Sequence, residues 1–188
     1  MTTDRLTALY SARTLAAAVA LCATLVTAGC NTKAKPTAEN FSRTINVYYS
    51  EHAECLLSGV KFPYATSDPA ETKQLNSLVK SQLLDASYES AVKTTRFTIG
   101  RNGQRYAPRF CYGHRTVTTI DSSTPPAKGA TGFPESKISY SYKLEEVPVW
   151  AQSAEVQAAY PKMAAAITDG GKAEITLAQT LAGWQVPE

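Results

Sequence analysis

The stretch Ile138-Ser139-Tyr140-Ser141-Tyr142-Lys143-Leu144 has the clearest strand pattern in the chain. Apolar or aromatic side chains alternate there with polar ones, which is the period of a strand with one buried and one solvated face. Looser runs of the same kind lie at residues 96–99, 109–121, 173–177 and 183–186. Strands with one face in water are typical of antiparallel sheets, so the pattern predicts an antiparallel sheet in this part of the chain.

Helical patterns precede these strands. Apolar residues recur at spacings of three and four in residues 39–57 and again in residues 69–84, which predicts two amphipathic helices. Asp68-Pro69 has the pattern of an N-cap followed by proline at the first helical position. One more helix is predicted over residues 154–167, interrupted or restarted at Pro161. The order predicts an α+β fold: two N-terminal helices, then an antiparallel sheet with one inserted helix.

An apolar segment at residues 14–26 lies before the predicted fold. Arg5 and Arg13 stand on its N-terminal side, and small residues follow it, which is typical of an export signal. The apolar run has 13 residues, whereas a membrane-spanning helix needs about 20. A permanent membrane span is therefore not expected.

The end of this segment, Thr27-Ala28-Gly29-Cys30, resembles the lipobox of bacterial lipoproteins, usually Leu-Ala/Ser-Gly/Ala-Cys. It departs from that pattern at Thr27, where leucine is usual. The resemblance implies that residues 1–29 are a signal peptide and that Cys30 becomes the first mature residue, carrying a diacylglyceryl group and an N-acyl chain such as palmitate. In that family, Asn31 after the cysteine implies sorting to the outer membrane. The alternative is an ordinary secretory signal cut nearby, with Cys30 unmodified.

Removal of residues 1–29 leaves 159 residues that carry 17 Lys and Arg against 15 Asp and Glu. This is a nearly neutral chain of a size that can bury a core of its own. The polar residues 30–38 are predicted to form a short lipidated tether, and residues 39–188 a single globular α+β domain. The expected location is the periplasm, on the inner face of the outer membrane.

Besides Cys30, the mature part contains two cysteines, Cys55 and Cys111, both in the predicted domain. An isolated pair in an oxidising compartment predicts a disulfide bond. The only histidines give His52-x-x-Cys55 and Cys111-x-x-His114, a set that could also close a tetrahedral zinc site. A thiol nucleophile assisted by a histidine is a further alternative. Both alternatives need reduced cysteines, so no metal site is predicted.

Basic residues cluster between Ala91 and Ile120, a window with six cationic side chains and no acidic one. Such clustering predicts a surface for an anionic partner. We assign it to five arginines: Arg96, Arg101, Arg105, Arg109 and Arg115. Exported candidates for the partner are lipid A phosphates, phospholipid headgroups, peptidoglycan carboxylates and an acidic protein. The alternative is that strand alternation scatters these side chains over both faces as ordinary solvated surface.

One local pattern has a further resemblance. Residues 75–84, followed by residues 96–99 and 102–106, resemble the recognition helix and wing of winged-helix domains. The resemblance covers about 35 residues and implies a helix packed against a hairpin. A nucleic-acid partner is not expected, because an exported lipoprotein meets no chromosome.

Catalytic motifs are absent from the sequence. It contains no Gly-x-Ser-x-Gly, no His-Glu-x-x-His and no glycine-rich phosphate loop. Glu145 and Glu146 are adjacent, and on a strand they would face opposite sides, which does not suit an acid/base pair. The prediction is a non-enzymatic binding or scaffolding module without a cofactor.

Two other functions stay open at this point. One is an envelope hydrolase without a recognisable motif, which would need His52 or His114 beside a carboxylate in a deep pocket. The other is an inhibitor or immunity lipoprotein that blocks a wall-degrading enzyme. Its inhibitory loop would be Ser122–Pro134, a Ser-, Thr-, Pro- and Gly-rich segment expected to be exposed.

Overall fold

The alternating stretch quoted above lies in the middle strand of the larger sheet. In the computed structural model, which describes residues 32–187, this strand is β7 (Pro134–Glu145). Its side chains Ile138, Tyr140 and Leu144 are buried. The predicted signal peptide (residues 1–29) and the predicted lipidation site Cys30 lie outside the described residues. From Ala34 onward the described chain forms one compact unit.

The described residues form an α+β fold with four helices and antiparallel sheets. The helices are α1 (Ala38–Glu51), α2 (Pro69–Lys80), α3 (Ala154–Ala159) and α4 (Pro161–Asp169). The remaining strands are β1 (Glu54–Cys55), β2 (Tyr64–Thr66), β3 (Leu84–Glu89), β4 (Thr94–Ile99), β5 (Cys111–Ser123), β6 (Ala127–Lys128), β8 (Gly171–Thr180) and β9 (Gly183–Gln185). Short 3-10 turns lie at Thr32–Ala34 and Val149–Gln152. Within residues 32–187, no helix combines the length and the apolar character needed to cross a membrane.

The larger sheet has the order β1-β5-β7-β8-β9, and β6 pairs with the start of β7. Helix α1 covers one face of this sheet and buries Phe41 and Ile45 against it. Their partners in this core are four side chains of the sheet: Ile138, Tyr140, Leu177 and Trp184. The amphipathic stripe predicted for the first helix is therefore its packing face.

The smaller sheet has the order β2-β4-β3 and packs with α2 around a second core. Asp68 Oδ1 accepts hydrogen bonds from the backbone N–H groups of Ala70 and Glu71, which confirms the predicted N-cap of α2. Leu75 and Leu78 of α2 meet Phe97 of β4 in this core. Phe110, Trp150 and Met163 belong to the same core.

The arrangement of helices and strands differs from the prediction in two ways. The short strands β1 and β2 separate α1 from α2, so the two N-terminal helices are not consecutive elements. The strands form two sheets instead of one. The restart predicted at Pro161 is confirmed, because Tyr160 leaves the helical conformation and Pro161 starts α4.

Two predicted segments have different ends in the structure. Helix α1 stops at Glu51, six residues before the predicted end, because the chain turns at His52 into β1. The segment Ser122–Pro134, predicted as a loop, has both ends in the larger sheet: Ser122 and Ser123 complete β5, and β6 pairs with Pro134 and Glu135. Its side chains are mostly exposed.

The helix-and-hairpin unit implied by the winged-helix resemblance is α2 followed by β3 and β4. The hairpin turns at residues 90–93, ahead of residues 96–99, and not between residues 96–99 and 102–106 as the resemblance implies. Residues 100–110 instead form an irregular loop between β4 and β5, called the arginine loop below because it carries Arg101, Arg105 and Arg109.

Candidate functional site

The arginine loop is fixed to the fold through its backbone. The N–H of Gly100 donates to the carbonyl of Leu83 over 2.9 Å. Gly103 lies so close to the same carbonyl that a Cβ there would sit 1.9 Å from the oxygen, so only glycine fits. At the other end, Phe110 is fully buried, and the carbonyls of Arg109 and Phe110 accept from the backbone N–H groups of residues 57 and 56.

The five predicted arginines fall into two groups. Arg101, Arg105 and Arg109 are exposed, and no carboxylate among residues 32–187 forms an ion pair with them. Arg96 on β4 instead pairs with Glu89 of the neighbouring strand β3. Arg115 on β5 is half-buried and pairs with a carboxylate of β1. Two of the five charges are thus already matched, and three are available.

Arg101 and Arg105 line one groove, called the arginine groove below, which has a volume of about 730 Å³. The Arg105 guanidinium lies over the ring of Tyr106, 4.7 Å from its centroid. Tyr106 in turn packs edge-on against Trp150, with 5.9 Å between the ring centroids. The contacts among Arg105, Tyr106 and Trp150 give the groove an apolar floor beside its positive charges.

The charged side chains of the arginine groove do not balance. Lys80, Arg101 and Arg105 face one carboxylate, that of Glu155, which leaves a net charge of +2. The Lys80 ammonium lies 3.1 Å from Glu155 Oε1, so these two charges balance each other. The excess charge belongs to the two arginines, and guanidinium groups match carboxylates and phosphates through paired hydrogen bonds.

Trp150 supplies an unusual feature at the arginine groove. The residue is 7% exposed, yet its indole N–H has no hydrogen-bond acceptor within the described part of the chain. The indole N–H of Trp184, by contrast, donates to the carbonyl of Lys35 over 3.0 Å. A buried donor without an acceptor costs about 1–3 kcal/mol of stability. A ligand atom that accepted a hydrogen bond from this N–H would remove that cost.

A second groove adjoins the first, between α2 and α3, with a volume of about 820 Å³. Lys80 and Glu155 line both grooves, so their ion pair stands at the boundary. Lys73 adds another cation to the lining of the second groove. An extended ligand lying in both grooves would therefore cross the Lys80–Glu155 pair.

The predicted disulfide bond between Cys55 and Cys111 is confirmed, with an S–S distance of 2.05 Å. It joins β1 to β5 at directly paired positions. The bond uses the thiolates that a zinc site or a cysteine nucleophile would need. Within residues 32–187, no group of three or more His, Cys, Asp or Glu side chains is placed to hold a metal ion.

The histidines and the acidic pair lie outside the arginine groove. The His52 ring stacks on Tyr48 with 4.0 Å between the centroids, and its Nδ1 lies 2.7 Å from the Tyr48 carbonyl oxygen. His114 Nδ1 lies 3.7 Å from Glu146, which is an exposed side chain. Glu145 binds Lys143 and the hydroxyl of Thr116. Neither histidine lines either of the two grooves.

Arg115 is the centre of a half-buried polar cluster on the larger sheet. Its Nε lies 2.6 Å from Glu54 Oε1, and its guanidinium lies over the rings of Tyr49 and Tyr142, at 5.0 Å and 4.5 Å. Burial alone would lower the pKa of Arg115. The hydrogen bond to Tyr140 and the negative charge of Glu54 raise this pKa by more than burial lowers it, so the net shift is upward. Burial above all, together with the hydrogen bond between the Tyr49 and Tyr140 hydroxyls, raises the pKa of Tyr49 to about 12.

The charge pattern of the sequence predicted the arginines of the groove but not its other lining residues. Lys80, Glu155, Tyr106 and Trp150 come from α2, α3, the arginine loop and the turn Val149–Gln152. Nothing in the periodicity of the sequence brings these segments together. The comparisons with known proteins add no relative: no family model, curated protein or solved structure matches the chain.

Proposed function

We propose that this chain is a lipid-anchored lipoprotein of the bacterial envelope, on the periplasmic face of the outer membrane, whose folded part is a non-enzymatic module that binds an anionic partner. The observation that supports binding is the arginine groove, where Arg101 and Arg105 lack acidic partners among the described residues and lie beside an aromatic floor. The lipobox-like end of the apolar segment supports the anchor.

The mechanism divides the work between two parts of the chain. Acyl chains on Cys30 hold the protein at the membrane, since each buried CH₂ contributes about 0.8 kcal/mol and two or more chains give stable anchoring. The groove then presents two guanidinium groups to carboxylates or phosphates of the envelope. The arginine loop is already fixed by its backbone, so binding does not have to order it.

The anchor is tested by expressing the full chain and its Cys30→Ser variant in a bacterium that exports lipoproteins. We expect the wild-type protein in the membrane fraction, with a mass that includes the acyl chains and lacks residues 1–29. The Cys30→Ser variant should lack both the acyl mass and the membrane association. A wild-type protein found unacylated in the soluble periplasm would contradict the anchor and support an ordinary secretory signal.

The groove is tested with the full chain purified in detergent. Its co-sedimentation with peptidoglycan sacculi and its binding to immobilised lipopolysaccharide are measured across a salt series. Ion-pair binding should weaken with salt, because the Debye length shortens to about 8 Å at physiological ionic strength. The variant Arg101→Glu/Arg105→Glu is compared with Lys128→Glu/Lys172→Glu, which makes the same charge change on the larger sheet, away from the groove.

Loss of binding in the arginine variant alone would support a specific groove. Equal loss in both variants would indicate attraction by net charge alone and would contradict the proposed site. Absence of binding to both polymers at low salt would overturn the proposal that the groove holds an anionic envelope polymer, and would favour a protein partner.

A further inference from the structure

The arginine groove carries charges of both signs. Besides its two available arginines it contains the Glu155 carboxylate, whose only described ion pair is with Lys80. Both side chains of that pair are more than half exposed, at 55% and 65%. Exposed pairs of this kind contribute little stability, so a ligand cation can replace Lys80 as the partner of Glu155.

A ligand dense in phosphate does not suit this arrangement, because a phosphate placed near Glu155 would be repelled. A ligand with a carboxylate at one end and an ammonium at the other suits it well. The carboxylate would pair with Arg101 and Arg105, and the ammonium with Glu155. Trp150 lines the same groove, and its unpaired indole N–H is a further donor that a carboxylate or amide oxygen can reach once the side chain that covers it moves.

We propose that the arginine groove binds a zwitterionic cell-wall peptide, one with a free carboxylate and a free amino group, such as the stem peptide of peptidoglycan. The carboxylate binds Arg101 and Arg105, the ammonium binds Glu155, and an oxygen of the peptide accepts a hydrogen bond from Trp150 Nε1. The indole nitrogen is covered from water in the free protein, so a groove side chain moves aside as the peptide enters. This inference rests on the proposed function and names its partner.

The two tryptophans of the chain provide a direct reading of this contact. The full chain is labelled with ¹⁵N and studied in detergent micelles, where the indole N–H groups of Trp150 and Trp184 give separate signals. The probe is the soluble stem tetrapeptide. We expect the Trp150 signal to move as the peptide is added, and the Trp184 signal to stay in place, because that N–H is already bonded to Lys35.

Modified peptides test the two charges separately. Amidation of the carboxylates should weaken binding about ten-fold or more, since hydrogen bonds to charged groups contribute about 1.5–3 kcal/mol. Acetylation of the free amino group should weaken it less, about three-fold, as expected for an exposed ion pair. In the Glu155→Gln variant, acetylation should make no further difference. The variant Trp150→Phe should bind the peptide about three- to ten-fold more weakly.

The outcomes separate this inference from the proposed function. If the arginine variant no longer binds sacculi but the tetrapeptide leaves the Trp150 signal in place, the zwitterionic peptide is wrong and the proposal of an anion-binding groove stands. If the groove binds lipopolysaccharide and inorganic phosphate competes, the ligand is a phosphate and the inference is overturned. If neither polymer binds, both proposals fall together.

Discussion

Arg115 illustrates how one residue can belong to a basic cluster in sequence and have a structural role in the fold. Its side chain is 22% exposed and that of Glu54 is 25% exposed. Contacts with Tyr49, Tyr140 and Tyr142 connect the guanidinium to α1 and β7. We infer that Arg115 stabilises the packing of α1 on the larger sheet, whereas Arg101 and Arg105 remain available for ligands.

Replacing Arg115 by methionine should therefore destabilise the protein. The change leaves the half-buried Glu54 carboxylate without its cation, and breaking a fully buried pair costs about 3–5 kcal/mol, so a loss of about 2 kcal/mol is expected here. The free energy of unfolding in urea measures it. Arg109→Met, at an exposed site without an ion pair among the described residues, is the control and should change stability by less than about 0.5 kcal/mol. Equal effects of the two variants would contradict the structural role of Arg115.

The raised pKa of Tyr49 predicts that the folded protein loses stability at alkaline pH. Its pKa is raised from 10.0 to about 12 in the folded protein. Between these values the unfolded chain releases the proton and the folded chain keeps it, so stability is complete below pH 10 and decreases as the pH rises to about 12. In Tyr49→Phe this decrease should be smaller, though not absent, because burial also raises the pKa of Tyr160 to about 12. Unfolding free energies measured across this range check it, and identical slopes would count against it.

At the scale of elements, the arginine loop depends on a single close approach. Gly103 places its Cα against the backbone of Leu83, which is the residue before β3. The loop thereby receives its position from the residue that precedes the hairpin of the smaller sheet. Its far end is held by Leu56 and Leu57, just after β1, whose N–H groups donate to the carbonyls of Phe110 and Arg109. An irregular segment is held as firmly as a regular one when its backbone groups are paired in this way.

Gly103→Ala should disturb this loop. The added Cβ would lie 1.9 Å from a backbone oxygen that cannot rotate away, so a cost of about 1–3 kcal/mol is expected. Thermal unfolding and sacculus binding should both decrease. Gly129→Ala is the matched control, since the three atoms nearest to its Cβ would all belong to the carboxylate of Glu135, which can rotate away. A Gly103→Ala protein with unchanged melting and binding would contradict the close approach.

The elements that the sequence predicted well are those with a local signal. The alternation in β7, the N-cap Asp68 and the stripe of α1 each depend on residues a few positions apart. The ends of elements were less predictable, since the apolar spacing of α1 continues past Glu51 into β1. The division into two sheets has no local signal, because strand pairing joins residues that are distant in sequence.

The candidate site, like the fold, was predictable only where its residues are close together in the sequence. The exposed arginines belong to one continuous window, so the charge count found them. The Lys80–Glu155 pair joins residues 75 positions apart, and the indole of Trp150 could be identified as unpaired only from its surroundings. Such contacts are set by tertiary packing and have no counterpart in periodicity or composition.

At the scale of the molecule, the disulfide links two positions 56 residues apart. The segment between them contains α2, the smaller sheet and the arginine loop. The disulfide therefore encloses most of the second core within one covalent loop. On the chain-entropy model, closing a loop of this length lowers the conformational entropy of the unfolded chain, which stabilises the fold by about 4 kcal/mol.

Cys55→Ser/Cys111→Ser should lower the free energy of unfolding by about 2–4 kcal/mol. The fold should otherwise persist, because the larger sheet and α1 have their own core. Chemical denaturation with and without a reductant measures this. Reductant should bring the wild-type protein close to the variant and leave the variant unchanged. A wild-type protein that is insensitive to reductant under partly denaturing conditions would contradict the prediction.

The fixed backbone of the arginine loop has a consequence for how such a protein can diversify. The bonds that hold the loop are made by the backbone of Gly100, Arg109 and Phe110 and by the side chain of Asn102, and Gly103 adds its close approach to Leu83. None of these contacts uses the side chains of Arg101 or Arg105. Those two positions can therefore drift independently of the scaffold. In homologues of this chain we expect the glycines to be conserved and the exposed side chains of the loop to vary. The same loop backbone could then bind different ligands after substitution of a few surface residues.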